Sequence, residues 1–86
     1  MARQVLFGFH AVGVRLRVAP KSVLELHIDA TRRDARMRQV VERATAAGTR
    51  IVESDDGRLQ ALAATSRHQG VVARVELLPQ SHSLDD

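Results

Sequence analysis

The sequence predicts a small α/β domain, and three observations carry this prediction. Residues 23–29 and 71–77 alternate in side-chain character with the two-residue period of a β-strand. Residues 31–48 instead repeat their apolar side chains at helical spacing. The chain has 86 residues, of which 44% are hydrophobic, enough for one domain with a single modest core. Strands that alternate with helices indicate packed α/β layers.

The first two elements differ in how clearly they can be predicted. Residues 3–7 are expected to form a short strand. In residues 8–18 two patterns conflict: Val12, Val14, Leu16 and Val18 alternate as in a strand, whereas Phe9, Val12 and Leu16 also mark one helical stripe. The alternation slightly favours a strand, and the Ala-Pro pair at 19–20 ends either element.

The later elements are clearer. Residues 23–29 form a predicted strand, with Leu24, Leu26 and Ile28 on one face. Residues 49–53 form a short strand, and Ser54 or Asp55 caps a third helix. Residues 65–70 form a polar loop, and residues 71–77 form the last strand. The stripe of the third helix consists of Leu59, Leu62 and Ala63, and one face of the last strand consists of Val71, Ala73, Val75 and Leu77.

The helix predicted over residues 31–48 organises the rest of the chain. Thr31 and Asp34 have the spacing of a capping box, and Gly48 is the expected C-terminal stop. The stripe that faces the core is Met37, Val40, Val41, Ala44 and Ala47.

Arginines crowd the predicted start of this helix. Arg32, Arg33 and Arg36 lie where the helix dipole favours anions, so each costs about 0.3–1 kcal/mol unless an anion lies beside it. Unpaired amide protons at a helix start, together with arginines, make a phosphate site. The alternative is a solvated basic face, and Arg38 and Arg43 are assigned to such ordinary surface.

The distribution of charge also favours binding of a polyanion. The chain has twelve arginines against one lysine, and arginine suits bidentate contact with phosphates, although genome composition can produce the same bias. Between Thr31 and Arg50 six arginines face two acidic residues, so this segment alone carries +4 against +3 for the whole chain. A localised basic patch of this kind is typical of nucleic-acid binders.

Several classes of function are disfavoured. There is no cysteine, so thiolate chemistry and cysteine-based zinc sites are excluded, and the four histidines are scattered without metal-ligand spacing. No glycine-rich phosphate loop, dinucleotide fingerprint or nucleophile elbow is present. Two phenylalanines are the only aromatic residues, too few for a base-stacking platform. No apolar run approaches a signal peptide or membrane span, so a cytoplasmic protein without membrane contact is expected.

A second polar cluster precedes the last strand. Arg67, His68 and Gln69 can hydrogen-bond to base edges or phosphates, and Gly70 permits close backbone approach. The alternative is a turn in which His68 and Gln69 brace the local backbone.

Three motifs occur in an order known from one family. They are Gly-Phe-His-Ala-Val at 8–12, an Arg-x-Asp-x-Arg run formed by Arg32 or Arg33 with Asp34 and Arg36, and His-Gln-Gly-Val-Val-Ala at 68–73. From about Leu6 to Val75 the chain resembles the N-terminal substrate-binding domain of SpoU/TrmH-type RNA 2′-O-ribose methyltransferases. It looks most like the branch that methylates a guanosine of large-subunit (23S) ribosomal RNA.

The resemblance implies a fold and a set of RNA contacts. The fold would be a small three-layer α/β/α sandwich with a mixed sheet of about four strands, like the ribosomal proteins that bind kink-turn RNA, and residues 8–18 would be helical. Arg32, Arg33 and Arg36 would contact phosphates, while Arg67, His68 and Gln69 would contact the other side of the same groove. His10 is expected to be structural.

The resemblance also implies a longer protein. Residues 1–78 would be the RNA-binding domain and residues 79–86 the start of a linker to a knotted catalytic domain that binds S-adenosylmethionine. The present chain would then recognise ribosomal RNA without holding a cofactor or metal and without being an enzyme itself. In the family the catalytic domain makes the homodimer, so this chain would be a monomer. The alternative is a protein-interaction module that contacts ribosomal proteins or a partner subunit; an independent small enzyme is disfavoured.

Overall fold

The computed structural model describes residues 3–32 and 34–76, which form one four-stranded sheet with three α-helices. In chain order the elements are β1 (Arg3–Phe7), α1 (Phe9–Val18), a 3-10 turn (Pro20–Ser22), β2 (Val23–Asp29), α2 (Ala35–Ala46), β3 (Arg50–Ser54), α3 (Asp56–Ala63) and β4 (Val71–Glu76). The sheet order is β1-β4-β2-β3. β4 is antiparallel to both of its neighbours, whereas β2 and β3 are parallel, so the sheet is mixed as expected.

Helices cover both faces of the sheet, which confirms the three-layer sandwich. Val12 and Leu16 of α1 join Met37, Val40 and Ala44 of α2 in one buried cluster with the sheet. On β4, Val71, Ala73 and Val75 belong to that cluster. Val72, which points to the other face, is also fully buried, and α3 with its buried Leu59 packs on this side. The first three residues of β4, Val71 to Ala73, are all apolar and buried, and the alternation with polar residues begins only at Arg74.

The strand that alternation favours in residues 8–18 is wrong, and the helix implied by the family resemblance is confirmed. Val12 and Leu16, four residues apart, are the buried positions of α1, while Val18 is 67% exposed. The alternation of apolar residues there is a coincidence of composition. It carries no information about faces, because only the helical subset of those residues reaches the core.

The start of α2 also differs from the prediction. The helix begins at Ala35 with Asp34 at the N-cap position, so Thr31 is not the cap and Arg32 precedes the helix. Its end is as predicted: Gly48 has a φ of 79°, and the amide of Thr49 donates to the Ala44 carbonyl oxygen in a Schellman-type closure.

The other boundaries agree closely with the sequence analysis. Strands β1 and β2 have the predicted limits, β3 is shifted by one residue, and Asp55 caps α3 by accepting from the Arg58 amide at 2.9 Å. Leu77 and the predicted linker at 79–86 lie outside the described residues, so the domain boundary at 78 stays a prediction. No helix within residues 3–32 and 34–76 is long and apolar enough to cross a membrane.

Candidate functional site

The sheet brings four separate segments to one of its edges. Strands β1, β2 and β3 run in the same direction, and β4 runs against them, so the ends of the first three meet the beginning of β4. We call this surface the loop edge; it consists of residues 8, 29–32, 54–56 and 65–70. In open α/β sheets the edge formed by the carboxyl ends of parallel strands is the common place for ligands.

Backbone hydrogen bonds hold these segments against one another. The Gly8 amide donates to the Val71 carbonyl oxygen at 3.2 Å, and the Asp29 amide donates to that of Gly70 at 2.9 Å. The Ala30 amide donates to the Ser54 carbonyl oxygen at 3.2 Å. The four segments therefore form one continuous surface.

Gln69 links the last loop to both helix-bearing segments. Its side-chain Oε1 accepts from the Phe9 amide at 2.9 Å and so satisfies a free amide proton at the start of α1. Gly8, which stands at the N-cap position, has no side chain that could do this. The Gln69 carbonyl oxygen accepts from Arg32 Nη1 at 2.7 Å. The residue has a φ of 59°, and it remains exposed at the surface.

Arg32 is the centre of the polar contacts at the loop edge. Its Nε and Nη2 donate to the two carboxylate oxygens of Asp34 at 3.2 and 3.1 Å, a bidentate pair. Its guanidinium carbon lies 5.0 Å from the centre of the Phe9 ring. The pKa of Asp34 lies below its ordinary value, chiefly because Arg32 donates hydrogen bonds to it. Arg32 thus fixes the N-cap of α2 to the loop before β4, with part of its charge already balanced.

Gly70 is where the Arg32 side chain crosses the backbone. A Cβ at this position would lie 3.0 Å from Arg32 Cδ, and the φ of 88° is unfavourable for other residues. The sequence predicted that Gly70 permits a close approach. The group that approaches is a side chain of the same domain.

His68 is buried, with only 3% of its surface exposed. Its Nδ1 accepts from the Gly70 amide at 2.9 Å, so in the neutral ring the proton is assigned to Nε2. Nε2 lies 3.1 Å from Asp56 Oδ1, but the geometry is not that of a hydrogen bond. The two groups are therefore in contact without being hydrogen-bonded. This geometry is that of the bracing turn, the alternative raised for His68. A contact from its ring to RNA stays a prediction and would require the loop to open.

The other predicted contact residues are placed apart from this network. Arg67 is exposed on the loop edge, where its backbone amide donates to Thr65 Oγ1 at 3.2 Å. Arg36 is exposed in the first turn of α2 and lines a groove between α1 and α2. Arg33 lies outside the described residues. The structure therefore joins Arg32 and Gln69 directly, with His68 beneath them, and leaves Arg36 and Arg67 exposed at separate places on the surface.

Sequence reasoning missed Asp29 as a site residue. Its Oδ1 accepts from both the amide and the hydroxyl of Thr31, at 2.9 and 2.7 Å, which forms an Asx-type turn between β2 and the arginine-rich segment. The Asp-x-Thr spacing was a visible signal, but Thr31 had been assigned to the helix cap. The turn directs Arg32 back towards Gln69, because the Arg32 amide donates to the Asp29 carbonyl oxygen at 3.0 Å.

This turn predicts a specific pH dependence of stability. The pKa of Asp29 lies below its ordinary value, chiefly because the Thr31 hydroxyl donates to the carboxylate. The ionised form therefore stabilises the fold above about pH 4, and this contribution is lost as the pH falls through the lowered pKa. Urea unfolding from pH 7 to pH 2 should show a stability gap between the native chain and Asp29→Asn that closes in acid. A gap of equal size at every pH would contradict the assignment, and Thr31→Val is the matched variant that removes the donor instead.

The described parts of the chain hold no group of three or more His, Cys, Asp or Glu side chains close enough to ligate a metal ion. The chemistry that the loop edge offers is hydrogen bonding and positive charge. Guanidinium groups, an exposed amide and backbone groups suit recognition of a polyanion with polar edges.

Comparison with known proteins gives one family. Residues 5–81 match the family described as RNA 2′-O ribose methyltransferase substrate binding. Curated proteins named 23S rRNA (guanosine-2′-O-)-methyltransferase RlmB are similar over most of the chain. The one from Ralstonia nicotianae is 46% identical over 83 residues, which are 96% of this chain and 33% of that protein. The one from Bordetella pertussis is 52% identical over 73 residues, 85% of this chain and 30% of that protein. The one from Neisseria meningitidis is 41% identical over 81 residues, 94% and 32% respectively. The chain thus spans about a third of the length of these relatives.

Proposed function

Because the chain belongs to the family of RNA 2′-O-ribose methyltransferase substrate-binding domains, we propose that it holds ribosomal RNA for methyl transfer by another part of a longer protein. The observation that carries this proposal is the loop edge itself. It collects Arg32, Arg67 and Gln69 from segments distant in sequence at the carboxyl ends of three strands. The relatives named as 23S rRNA guanosine 2′-O-methyltransferases support large-subunit RNA, and a guanosine within it, as the substrate.

The division of labour within the loop edge follows from burial. Arg67 and Gln69 are exposed and can contact RNA without any rearrangement. Arg32 donates with all three guanidinium nitrogens to Asp34 and the Gln69 carbonyl oxygen, so it would add positive charge at the loop edge, and Arg33 and Arg36 would contact phosphates. His68 acts as a positioning residue, because its buried Nδ1 holds the Gly70 amide and thereby fixes the orientation of Gln69.

The methyl donor is proposed to bind elsewhere. In this family S-adenosylmethionine supplies the methyl group, and it carries a positive sulfonium. The groove between α1 and α2 is lined by three arginines, which repel such a cation. We therefore assign S-adenosylmethionine and the catalytic groups, together with homodimer formation, to a C-terminal domain of the longer protein, which would act on ribosomal RNA in the cytoplasm. The present chain would be a monomer without enzymatic activity.

Binding of ribosomal RNA hairpins by the 86-residue chain tests the proposal. In fluorescence titrations at several salt concentrations, Arg67→Gln or Arg33→Ala should weaken binding by roughly 5- to 20-fold and reduce the salt slope by about 1. Arg50→Gln is the matched control: it removes the same charge at the start of β3, which is the opposite end of the sheet from the loop edge.

Two outcomes would reject the proposal. If the native chain binds no ribosomal RNA, or binds it without salt dependence, a protein-interaction module that contacts ribosomal proteins or a partner subunit is favoured instead. If Arg50→Gln weakens binding as much as Arg67→Gln, the loop edge is not the binding surface. Binding of S-adenosylmethionine to this chain would contradict the assignment of the methyl donor to another domain.

A further inference from the structure

The surface between α1 and α2 is the most basic concave region of the described residues. It is a groove of about 400 Å³, and its walls include Arg17 and His10 from α1 and Arg36, Gln39 and Arg43 from α2. Val40, which is buried, and Gly13 also line it. The sequence assigned Arg43 to ordinary solvated surface and His10 to a structural role, but the fold leaves both side chains exposed on opposite walls of this groove.

The charge of this groove is not balanced within the described residues. No carboxylate lines it, and α1 contains no acidic residue at all. Arg17, Arg36 and Arg43 take part in none of the ion pairs that the described chain makes, in contrast to Arg32 and Arg74. The groove therefore concentrates three unpaired positive charges, as many as the net charge of the entire chain.

The two walls have the same spacing. Arg36 and Arg43 are seven residues apart on α2, and His10 and Arg17 are seven apart on α1, so each pair is separated by about 10 Å along its helix. Two rows of donors extending over this length suit a ligand with repeated negative charges, and a single small anion could contact only one end.

The groove begins at the loop edge. Helix α1 follows the end of β1 and α2 follows the end of β2, and these strands end at the same edge of the sheet. His10 and Arg36 therefore lie near that edge, and Arg17 and Arg43 lie farther along the groove. A strand of RNA bound at Arg67 and Gln69 has a continuous basic path past Arg36.

Gly13 gives the groove an open floor. Glycine in the middle of a helix lowers its stability, and packing does not require one here, because a Cβ at Gly13 would meet nothing within 4 Å. The missing side chain leaves helix backbone accessible between the two rows of donors. A glycine permits the backbone of a ligand to approach the helix closely.

We propose that the α1–α2 groove binds the sugar–phosphate backbone of the RNA whose other part contacts the loop edge. This inference rests on the proposed function and extends it to a second surface. Recognition here would be through phosphates and riboses, since three arginines line the groove, whereas Phe9 in its lining is only partly exposed and already has the Arg32 guanidinium over its ring. The groove would set the direction in which the RNA leaves the loop edge.

Three variants of the 86-residue chain test the inference with a labelled 23S rRNA hairpin that the native chain binds. The double variant Arg17→Gln with Arg43→Gln should weaken binding about 10- to 100-fold and reduce the salt slope by about 2. Gly13→Gln should weaken binding without any change of charge, because its side chain fills the floor. The matched control, Arg38→Gln with Arg50→Gln, removes two charges outside the groove and should change affinity by less than about threefold.

The outcomes separate this inference from the proposed function. If the native chain binds the hairpin and Arg67→Gln weakens it, but the groove variants equal the control, the groove inference is wrong and the proposed function stands. Absence of binding by the native chain overturns both. Displacement of RNA by a polyglutamate peptide as readily as by unlabelled RNA of equal charge would overturn the inference in favour of an acidic protein partner.

A measurement on the native chain avoids any effect of substitution on folding. In amide and arginine side-chain NMR spectra, the hairpin should shift the Gly13 amide and the Nε–H signals of Arg17 and Arg43. Shifts confined to the loop edge would contradict the inference. Circular dichroism melts of the three variants within a few degrees of the native chain would show that changed affinity does not come from unfolding.

Discussion

Replacing Gly8 with alanine is expected to reduce the free energy of unfolding by about 2–4 kcal/mol. Gly8 has φ 89° and ψ 151°, a combination that essentially only glycine adopts and that costs other residues about 1–3 kcal/mol. In addition, a Cβ would lie 3.1 Å from Gln69 Oε1, the atom that accepts from the Phe9 amide. Displacing that oxygen leaves the first amide of α1 without its partner, at a cost of about 1 kcal/mol.

Urea unfolding of Gly8→Ala should be compared with Gly13→Ala. The control makes the same chemical change within α1, where the added methyl meets nothing, and it should be neutral or stabilising by up to about 1 kcal/mol. Equal stability of the two variants would show that the conformation of Gly8 and its contact with Gln69 do not matter. Gly8→Ala should also weaken RNA binding, because Gln69 loses the partner that fixes its side chain.

Replacing Leu59 with alanine is expected to cost about 2–5 kcal/mol. Leu59 is fully buried and is the only buried residue of α3, an eight-residue helix that covers one face of the sheet. Truncating it leaves a cavity that so short a helix cannot fill by local adjustment without losing its contact with the sheet. Gln60→Ala, an exposed change in the same helix, should stay within about 0.5 kcal/mol of the native chain.

The loss of the Leu59 side chain should also destabilise the loop edge, because α3 contacts it. Asp56, in the first turn of α3, lies against the buried ring of His68, and that ring accepts from the Gly70 amide. Hydrogen exchange of the Gly70 amide should therefore be faster in Leu59→Ala than in Gln60→Ala. If exchange at Gly70 is unchanged while stability falls, the loop before β4 is held independently of α3.

The order of strands and helices could be predicted because it depends on local signals. Gly48 ends α2 through its positive φ, and Asp55 begins α3 through a side-chain cap, and both residue types indicate those roles directly. The strands β2 and β4 could be placed from the two-residue period. The conflict over residues 8–18 could not be resolved in this way, since Val12 and Leu16 satisfy both periods and only packing against α2 and the sheet selects the helix.

The two segments that the sequence predicted as a site lie together in the fold, their contact with RNA stays a prediction, and the contacts between them could not be predicted. Arg32 and Gln69 were both named, but their direct hydrogen bond joins residues 37 positions apart and leaves no trace in either local sequence. His68 looked like a base-reading side chain because histidine donates and accepts. Its burial follows from the turn that positive φ values at Gln69 and Gly70 create, which directs the ring towards α3.

The sequence by itself determined the layered α/β class and the family. It also determined that arginines are concentrated at the start of the second helix. These follow from periodicity, from short motifs in a fixed order and from charge, which are properties of neighbouring residues. Only the tertiary structure decided where Arg32, Arg36 and Arg43 are directed. Arg32 is drawn inward by Asp34 and the Gln69 carbonyl, whereas Arg36 and Arg43 turn outward beside α1, because the sheet directs both helices away from one edge. Charges that the sequence presents as one cluster are thereby divided between a positioning contact and a groove.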